Sequence, residues 1–362
     1  MNLSGLLPVD LGARFGIDGR LVDVTALGRG HIHQTWLAVY RRGDGARSRH
    51  VHQRLNTSVF AEPVVLMDNL ARVTVHLAAK AATAGRPAAA ARRALRLERA
   101  VDGAPTVLDG EGRTWRTLAF IDGASTPPRF SDPAQAAAAA ITAAGFVVDL
   151  ADLSGRPLAE VIPGFHDVIR RLDDMERAVA ADAVGRARGC RAELEAVRAA
   201  APLAAEVDAA RVTGGVPERT VHNDAKADNV LFDDATGQAL CMVDLDTAGP
   251  GTVLFDVGDL VRSGAATGPE DGDAGDVEVR TDIVEAILDA YADAAAGFLT
   301  ESERALLPLA GPLMTLEAAA RFLTDHLRGD VYFRVDGPGH NLARARNQVR
   351  VLELLRARSG RR

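Results

Sequence analysis

A short stretch in the second half of the chain combines residue types that a metal-assisted group transfer needs. Asp224 is followed two positions later by Lys226 and five positions later by Asn229, and a further acidic residue, Asp244, comes next. A carboxylate can accept the proton of an attacking hydroxyl, an ammonium can contact phosphate, and amide and carboxylate oxygens ligate Mg²⁺. The set therefore indicates phosphoryl transfer to a hydroxyl, with Asp224 as the base.

The segments around these residues are predicted to bring them together. Residues 230–232 and 239–243 have the apolar composition of two antiparallel strands, and residues 233–237 contain the Asp and Gly that suit a tight connection. Such a hairpin returns Asp244 beside Asn229, so that the two can ligate one Mg²⁺. An acidic residue beside a turn is usually just solvated, and the prediction therefore depends on the whole ordered set.

A glycine turn near the start of the chain is the candidate nucleotide-binding element. Gly28 and Gly30 lie between two segments with strand-like spacing, residues 21–26 and 35–40. Glycine lets backbone N–H groups approach phosphates closely, although an ordinary hairpin would look the same. The nearby histidines, at positions 31 and 33, are poor candidates for a metal site because no further ligands lie close in the sequence.

The third predicted strand, residues 51–55, lacks the lysine that commonly contacts nucleotide phosphates. Of 42 basic residues only Lys80 and Lys226 are lysines, and Lys80 lies beyond the next helix. We predict that Arg54 makes this contact, because a guanidinium can bind phosphate through two hydrogen bonds. Gln53 is the alternative, an exposed arginine without a ligand is nearly as plausible, and the acidic partner of Arg54 is left open between Glu62 and Asp68.

The remaining pattern predicts an α+β fold. Residues 107–120 indicate a hairpin, residues 85–100 a connection that is helical at its end, and residues 263–282 a Gly- and Asp-rich mobile loop. Helices are predicted over residues 62–82, 132–150, 165–179, 193–207, 283–298, 312–327 and 341–356, the last as a basic, solvated surface helix. This gives an N-terminal nucleotide-binding lobe with an antiparallel sheet and a helix (residues 1–120), a hinge (121–125) and a larger, mainly helical lobe for catalysis and substrate binding (126–362).

Composition limits the class of protein. The chain has 362 residues, 47% of them hydrophobic and 25% charged, which is typical of a soluble globular protein. A net charge of -7 argues against a nucleic-acid-binding protein. Residues 1–10 do not have the pattern of a signal peptide, and residues 134–150 are better explained as a buried helix than as a membrane span. With two cysteines and no disulfide framework, we expect a cytoplasmic protein without a membrane partner.

An ordered series of motifs along nearly the whole chain resembles the aminoglycoside-phosphotransferase superfamily, and within it the N-acetylhexosamine 1-kinase group. The motifs are Gly30-His31-Ile32, Gln53-Arg54-Leu55-Asn56, Met67-Asp68-Asn69, Ile162-Pro163-Gly164-Phe165-His166-Asp167, residues 222–229, Val243-Asp244-Leu245-Asp246-Thr247, Phe255-Asp256-Val257-Gly258-Asp259, Arg321-Phe322-Leu323-Thr324-Asp325, Gly329-Asp330-Val331-Tyr332-Phe333 and Asn341-Leu342. The resemblance implies a two-lobed protein-kinase-like fold that uses ATP and Mg²⁺. It also implies that the anomeric hydroxyl of a sugar is the acceptor.

The resemblance also implies roles for individual residues. Asp224 would be the base, Lys226 would lie near the transferred phosphate, Asn229 and Asp244 would hold the metal, and Asp256 would support the catalytic loop from below. The residues that would line the sugar pocket are His31, His33, Arg321 and Tyr332.

One departure from the family pattern leaves the acceptor open as a sugar or a sugar-like molecule. Where the family usually reads H-I-N-D, this chain has His31-Ile32-His33-Gln34 and so lacks an acidic residue that could bind sugar hydroxyls. An antibiotic kinase of the aminoglycoside type is the first alternative, because the Asp-rich residues 271–282 could supply an acidic pocket. A catalytically inactive kinase-like binding protein is the second, because the third-strand lysine is missing.

Overall fold

The computed structural model describes residues 7–8, 10–27, 32–83 and 92–359. The predicted turn at Gly28 and Gly30, together with His31, lies outside the described residues. The chain forms two compact units, one made of Met1–Ala124 with Leu153–Ile162 and the other of Ser125–Asp152 with Pro163–Arg362. The predicted hinge at residues 121–125 coincides with the first crossing between units, whereas Leu153–Ile162 falls within the range predicted for the second lobe.

The first unit contains an antiparallel sheet. Its strands are β1 (Arg20–Ala26), β2 (Gln34–Arg41), β3 (Arg47–Arg54), β4 (Leu97–Glu98), β5 (Val107–Leu108) and β6 (Thr114–Ala119). Among the described residues the order is β1-β2-β3-β6-β4, with β5 paired to β6. Two sequence predictions need correction: β3 begins at Arg47 because its polar first half pairs with the end of β2, and Leu97–Glu98 is a strand rather than a helix end.

In the part of the chain that the structure describes, the first unit also contains helices, one before β1 and one between β3 and β4. They are α1 (Leu11–Arg14) and α2 (Pro63–Thr83), and α2 begins and ends within one residue of the prediction. Asp68 on α2 contacts Arg156 at 2.9 Å and Arg72 at 4.0 Å. No ion pair joins Arg54 to Glu62 or Asp68 in the part of the chain that the structure describes, so neither predicted partner is confirmed.

The second unit is mainly helical. Its helices are α3 (Pro133–Leu150), α4 (Val168–Ala181), α5 (Arg191–Ala200), α6 (Pro202–Val212), α7 (Val253–Ala265), α8 (Thr281–Ala294), α9 (Glu301–Arg328) and α10 (His340–Ser359). Short strands accompany them: β8 (Arg219–Val221) pairs with β11 (Gly249–Gly251), and β9 (Val230–Asp233) pairs with β10 (Ala239–Met242). The two-residue strand β7 (Ala124–Ser125) is where the chain passes from the first unit to the second.

Proline and capping residues explain where the predicted helices differ from the observed ones. The predicted helix over residues 193–207 is two helices, because Pro202 starts α6. Helix α9 begins at Glu301, not at 312, because Thr300 and Glu303 form a capping box and the helix then runs through Pro308 and Pro312. Helix α10 is not a solvated surface helix, since residues along its whole length are buried, including Asn347, Gln348, Val351, Leu352 and Leu355.

Helix α9 lies at the centre of the second unit. Its apolar residues Leu313, Leu316 and Leu323 are buried. Helix α7 approaches it closely at Gly258, where an added Cβ would lie 2.4 Å from the Ala310 carbonyl oxygen. Such a contact excludes any side chain at position 258. Because α7 and α9 both carry buried polar residues of the site, this crossing determines how those residues are placed.

Among the residues that the structure describes, two helices are long and apolar enough to cross a membrane by length and composition. They are α3 and α9, with mean hydropathy 1.3 and 1.2, and 44% and 78% of their apolar windows are buried inside the structure. Core helices of proteins that have no membrane span pass the same test, so two such helices are weak evidence for a span.

Candidate active site

The hairpin β9–β10 brings the ends of the catalytic stretch together as predicted. Met242 pairs with Val230 in the ladder, and the Val243 N–H donates to the Asn229 carbonyl at 2.9 Å. Asp244 follows directly and is exposed. The turn residues and the two short strands are therefore enough to place Asp244 next to the segment that carries Asn229.

Two predicted residues, Lys226 and Asn229, meet at the Asp224 carboxylate. The Lys226 ammonium lies 3.1 Å from Oδ2, and the Asn229 side-chain N–H donates to the same oxygen at 3.0 Å and to the Asp224 carbonyl at 2.7 Å. The Asp224 side chain is 26% exposed, so a substrate can reach it. The charge of Asp224, with smaller contributions from Asp228 and Asp244, raises the pKa of Lys226, which stays protonated at neutral pH.

The side-chain oxygens of Asn229 and Asp244 are of the kind that a divalent metal ion such as Mg²⁺ prefers. Because the Asn229 amide nitrogen is directed at Asp224, its amide oxygen faces the other way. Asp244 has left-handed backbone angles, φ 60° and ψ 55°, which Asp tolerates better than most residues. The described residues include no group of three His, Cys, Asp or Glu side chains that could hold a metal. An ion held by Asn229 and Asp244 would therefore complete its shell with phosphate and water oxygens, as Mg²⁺ commonly does.

A buried carboxylate, that of Asp256, supports the backbone at the start of the predicted catalytic loop, residues 222–229. Asp256 on α7 is fully buried and accepts hydrogen bonds from the backbone N–H groups of His222 at 2.9 Å and Asn223 at 2.8 Å. The Asn223 amide in turn donates to carbonyl oxygens of the following turn, at Thr247 and Pro250. The geometry agrees with the supporting role that the family resemblance implies for Asp256.

Burial gives Asp256 a measurable effect on stability. Desolvation raises the pKa of this carboxyl from 3.8 to about 6. Between these two values the folded state binds more protons than the unfolded state, so stability present below pH about 4 is lost as pH rises through about 6. We expect the free energy of unfolding of the wild type, relative to Asp256→Asn, to fall by about 3 kcal/mol over this range.

Urea unfolding of both proteins at several pH values measures this difference directly. Because both chains share every other titrating group, the subtraction isolates Asp256. A difference that is constant with pH, or that grows as pH rises, would contradict the assignment.

His222 connects Asp224, the predicted base, to the end of the hairpin that carries Asp244. Its Nε2 donates to the Val243 carbonyl at 2.9 Å, and its Nδ1 accepts the Asp224 N–H at 3.3 Å. One nitrogen therefore carries a proton and the other does not, which makes the ring the neutral Nε2–H tautomer. The imidazole ties the backbone beside Asp244 to the backbone of Asp224.

Helix α7 also supports the short helical turn that carries Asn229. The Ala227 N–H donates to the Ser263 hydroxyl at 2.9 Å, and this hydroxyl donates to the Asp259 carbonyl at 2.6 Å. The buried Asp259 carboxylate pairs with Arg262 at 3.0 Å, and Arg262 also binds Glu270 at 2.9 Å. The residues after Lys226 are thus held from the same helix that holds His222.

Helix α9 supports the segment around Asn223 through His166, a buried histidine that precedes α4. His166 Nε2 lies 2.8 Å from the Asn223 carbonyl oxygen, and its Nδ1 lies 2.8 Å from Glu317 Oε2. Glu317 is buried and also faces Arg321, at 3.5 Å. Sequence reasoning missed this contact, because His166 and Glu317 are 151 positions apart and no local pattern links them.

The remaining predicted substrate residues lie in both units. Arg321 lies over the rings of Phe165 and Phe333, at 5.2 and 5.5 Å. Tyr332 is 59% exposed and its N–H donates to the Asp325 carboxylate. In the first unit, the ring of His33 packs on Phe60, and its Nδ1 accepts a backbone N–H from residue 56.

The structure of the third strand shows which of the two candidate phosphate contacts, Gln53 or Arg54, is available for a ligand. Gln53 is engaged, because its amide donates to Thr35 at 3.1 Å and accepts from Arg116 at 2.8 Å. Arg54 instead lines a pocket of about 420 Å³ within the first unit, together with Asn56 and Arg113. The geometry favours Arg54 over Gln53 as the phosphate contact.

Solved structures with the same fold are kinases of small molecules. An aminoglycoside phosphotransferase from Alicyclobacillus acidocaldarius has TM-score 0.63 and 14% identity, over 98% of this chain and 96% of that chain. Amicoumacin kinase hAmiN in complex with AMP-PNP and Ca²⁺ has TM-score 0.55 and 11% identity, over 90% and 87%. Choline kinase LicA from Streptococcus pneumoniae has TM-score 0.52 and 12% identity, over 92% and 94%. At these identities the likeness shows the fold, and it confirms the predicted α+β kinase-like class.

The sequence places the chain more narrowly within that class. The model of the phosphotransferase enzyme family, APH, matches residues 24–306. The chain belongs to this family, which confirms the superfamily resemblance. It is accordingly a small-molecule kinase that transfers a phosphoryl group to an alcohol, and the family implies ATP as the donor.

Proposed function

We propose that this kinase uses Mg–ATP to phosphorylate a hydroxyl, most simply the anomeric one, of a sugar or sugar-like molecule in the cytoplasm. The observation that carries the proposal is the Asp224 carboxylate, held between Lys226 and Asn229 with Asp244 beside them. Asp224 accepts the proton of the acceptor hydroxyl, and Lys226 neutralises charge on the transferred phosphate. Asn229 and Asp244 would hold the metal ion, which supplies electrostatic stabilisation of the phosphates.

Charge around the acceptor residues supports a hydroxyl-rich acceptor over a polycationic one. Arg321 lies one helical turn beyond Glu317, and Arg171 donates to the Phe165 carbonyl at 3.0 Å in the same cluster. No carboxylate pairs with Arg171 among the residues that the structure describes. Guanidinium groups can donate to sugar hydroxyls, whereas they repel the ammonium groups of an aminoglycoside.

In the Asp-rich segment, which favoured the antibiotic kinase, three of the acidic side chains already have partners. Asp271 faces His340 at 3.3 Å, Asp282 binds Arg280 at 3.0 Å, and Asp273 accepts the N–H of residue 275. Carboxylates that already have such partners are weak sites for a second cation. The sugar-like acceptor, including the N-acetylhexosamines of the resembled group, is therefore the better supported proposal.

The missing third-strand lysine has a candidate replacement, which weighs against an inactive binding protein. If Arg54 contacts the nucleotide phosphates, Arg54→Met should raise the KM for ATP by about tenfold or more, with a smaller change in kcat. Initial rates of ADP release over a range of ATP concentrations measure both constants. Arg47→Met, on the same strand and exposed, is the matched control. An unchanged KM in Arg54→Met would remove Arg54 from the nucleotide site.

A panel of acceptors tests the proposed function itself. We expect ADP release with one class of neutral N-acetylated or plain hexoses or related cyclitols, and none with aminoglycosides, choline or ethanolamine. Nuclear magnetic resonance of the phosphorylated product identifies the hydroxyl. Turnover with an aminoglycoside, combined with drug tolerance in a sensitive bacterium, would overturn the sugar assignment in favour of the antibiotic kinase.

A further inference from the structure

The peptide group that joins Asn223 to Asp224 is held at both of its polar atoms by histidines. His166 lies 2.8 Å from the carbonyl oxygen of this group, and His222 accepts its N–H at 3.3 Å. Asn223 itself has a left-handed backbone conformation, with φ 60°. A peptide group constrained at both ends cannot rotate freely, so the direction in which the Asp224 side chain leaves the backbone depends on these contacts.

The two partners of His166 identify its protonation state. A backbone carbonyl and a carboxylate oxygen can only accept hydrogen bonds, and each lies 2.8 Å from one ring nitrogen. Both nitrogens must then carry a proton, which makes the ring an imidazolium. The alternative, a protonated Glu317 that donates to Nδ1, is disfavoured because Arg321 faces the same carboxylate.

Charged groups around His166 agree with this assignment. Burial lowers the pKa of His166, but the combined effects of Glu317, of Asp259 on α7 and of the contact with the Asn223 carbonyl outweigh burial, so the pKa is raised. Burial would raise the pKa of Glu317, but His166 and the cations of Arg321 and Arg171 hold it below its usual value. The charged groups therefore come from α4, α7 and α9, and the rings of Phe165 and Phe255 cover His166 at 4.4 and 4.8 Å.

We propose that His166 is a positioning residue of the phosphotransfer, a buried imidazolium that fixes the peptide group before Asp224 and so directs the Asp224 carboxylate at the acceptor hydroxyl. Glu317 keeps His166 protonated. The proposal rests on the proposed function in taking Asp224 as the base. A charged donor binds a carbonyl more strongly than a neutral one, which suits a contact that must hold a strained segment.

Two replacements of His166 separate its contact with the loop from its contact with α9. An asparagine amide corresponds in reach to Nδ1, so His166→Asn can keep Glu317 but loses the Asn223 carbonyl. A glutamine amide corresponds to Nε2, so His166→Gln can keep the carbonyl contact without the charge. We expect kcat to fall by about 100-fold in His166→Asn and about tenfold in His166→Gln, with the KM for ATP within about twofold.

Replacement of Glu317 adds a second measurement, the pH dependence of kcat. This dependence would not change if His166 and Glu317 had a purely structural role. In Glu317→Gln, His166 loses the charge that keeps it protonated. The ratio of kcat in this variant to kcat in the wild type should therefore rise as pH falls from about 8 to about 6, because acid restores the imidazolium. Taking the ratio removes the titration of Asp224, which both proteins share. A ratio that is independent of pH would overturn the role of Glu317.

The controls distinguish this proposal from the proposed function. His340→Gln, which alters the contact of a different histidine with a carboxylate, that of Asp271 in the second unit, should keep wild-type turnover. No turnover in the wild type with any acceptor overturns the proposed function, whereas equal turnover in the wild type and a folded His166→Asn overturns the role of His166. Nuclear magnetic resonance of ¹⁵N-labelled histidine in the wild type needs no acceptor and no variant. Protonation of both His166 nitrogens at pH about 7.5 is expected, and a neutral ring would overturn the proposal.

Discussion

Asp224→Asn should lower kcat by at least about 1000-fold while leaving the affinity for ATP within about threefold. The carboxamide keeps the size of the side chain and can still accept the hydrogen bond from Asn229, now 3.0 Å from Oδ2. It cannot take the proton of the acceptor hydroxyl, and it removes the charge that faces Lys226 at 3.1 Å. Chemistry should therefore be lost while nucleotide binding remains.

Two measurements separate these effects. Coupled assay of ADP release with the best acceptor gives kcat, and isothermal titration calorimetry with ATP and Mg²⁺ gives the affinity. Asp208→Asn is the matched control, because Asp208 is a half-exposed residue on α6 that forms a surface ion pair with Arg211 at 3.7 Å. Turnover of Asp224→Asn within tenfold of the control would exclude Asp224 as the base.

Asp244→Asn should lower kcat/KM for ATP by about 100-fold or more and raise the Mg²⁺ concentration needed for half-maximal activity. The neutral amide offers one weaker ligand oxygen in place of a charged carboxylate. The substitution also removes one of the negative charges that raise the pKa of Lys226. Since the side chain is exposed, the fold should be unaffected.

Titration of activity with Mg²⁺ at saturating acceptor tests this expectation. Asp234→Asn is a suitable control, because Asp234 lies in the turn of the same hairpin and accepts a hydrogen bond from Ser125. Partial recovery of the Asp244 variant at high Mg²⁺ would agree with weakened metal binding. A loss of activity with an unchanged Mg²⁺ dependence would instead show that Asp244 acts in some other way.

Local signals in the sequence explain why the catalytic hairpin was predictable. The residues that meet at Asp224 lie within five positions of it, and a turn with Asp and Gly returns Asp244 to the Asn229 segment. Contacts over such short separations depend mainly on turn chemistry and strand alternation. The capping box at Thr300 is an equally local signal, and it marks the true start of α9 eleven residues before the predicted start at position 312.

Longer-range packing explains why the predictions for helix α10 and for the acidic partner of Arg54 differ from the structure. Helix α10 has the composition of a surface helix, but polar residues such as Asn347 and Gln348 are buried once the helix is in place. Neither Glu62 nor Asp68 pairs with Arg54 in the described part of the chain, because Asp68 meets Arg156, 88 positions away. A sequence pattern records which side chains are polar but not which distant partner each will meet.

The order and types of residues predicted the α+β kinase-like fold and a candidate phosphotransfer site with a proposed base, an ammonium and two proposed oxygen ligands. The side chains that hold this set in place come from far along the chain, with Asp256 34 positions from His222 and His166 57 positions from Asn223. These buried contacts exist only after α7 and α9 have packed, because burial is what excludes water and gives each group a single partner. The candidate chemistry could therefore be predicted from individual residues, whereas the orientation of the Asp224 side chain depends on packing in the folded core.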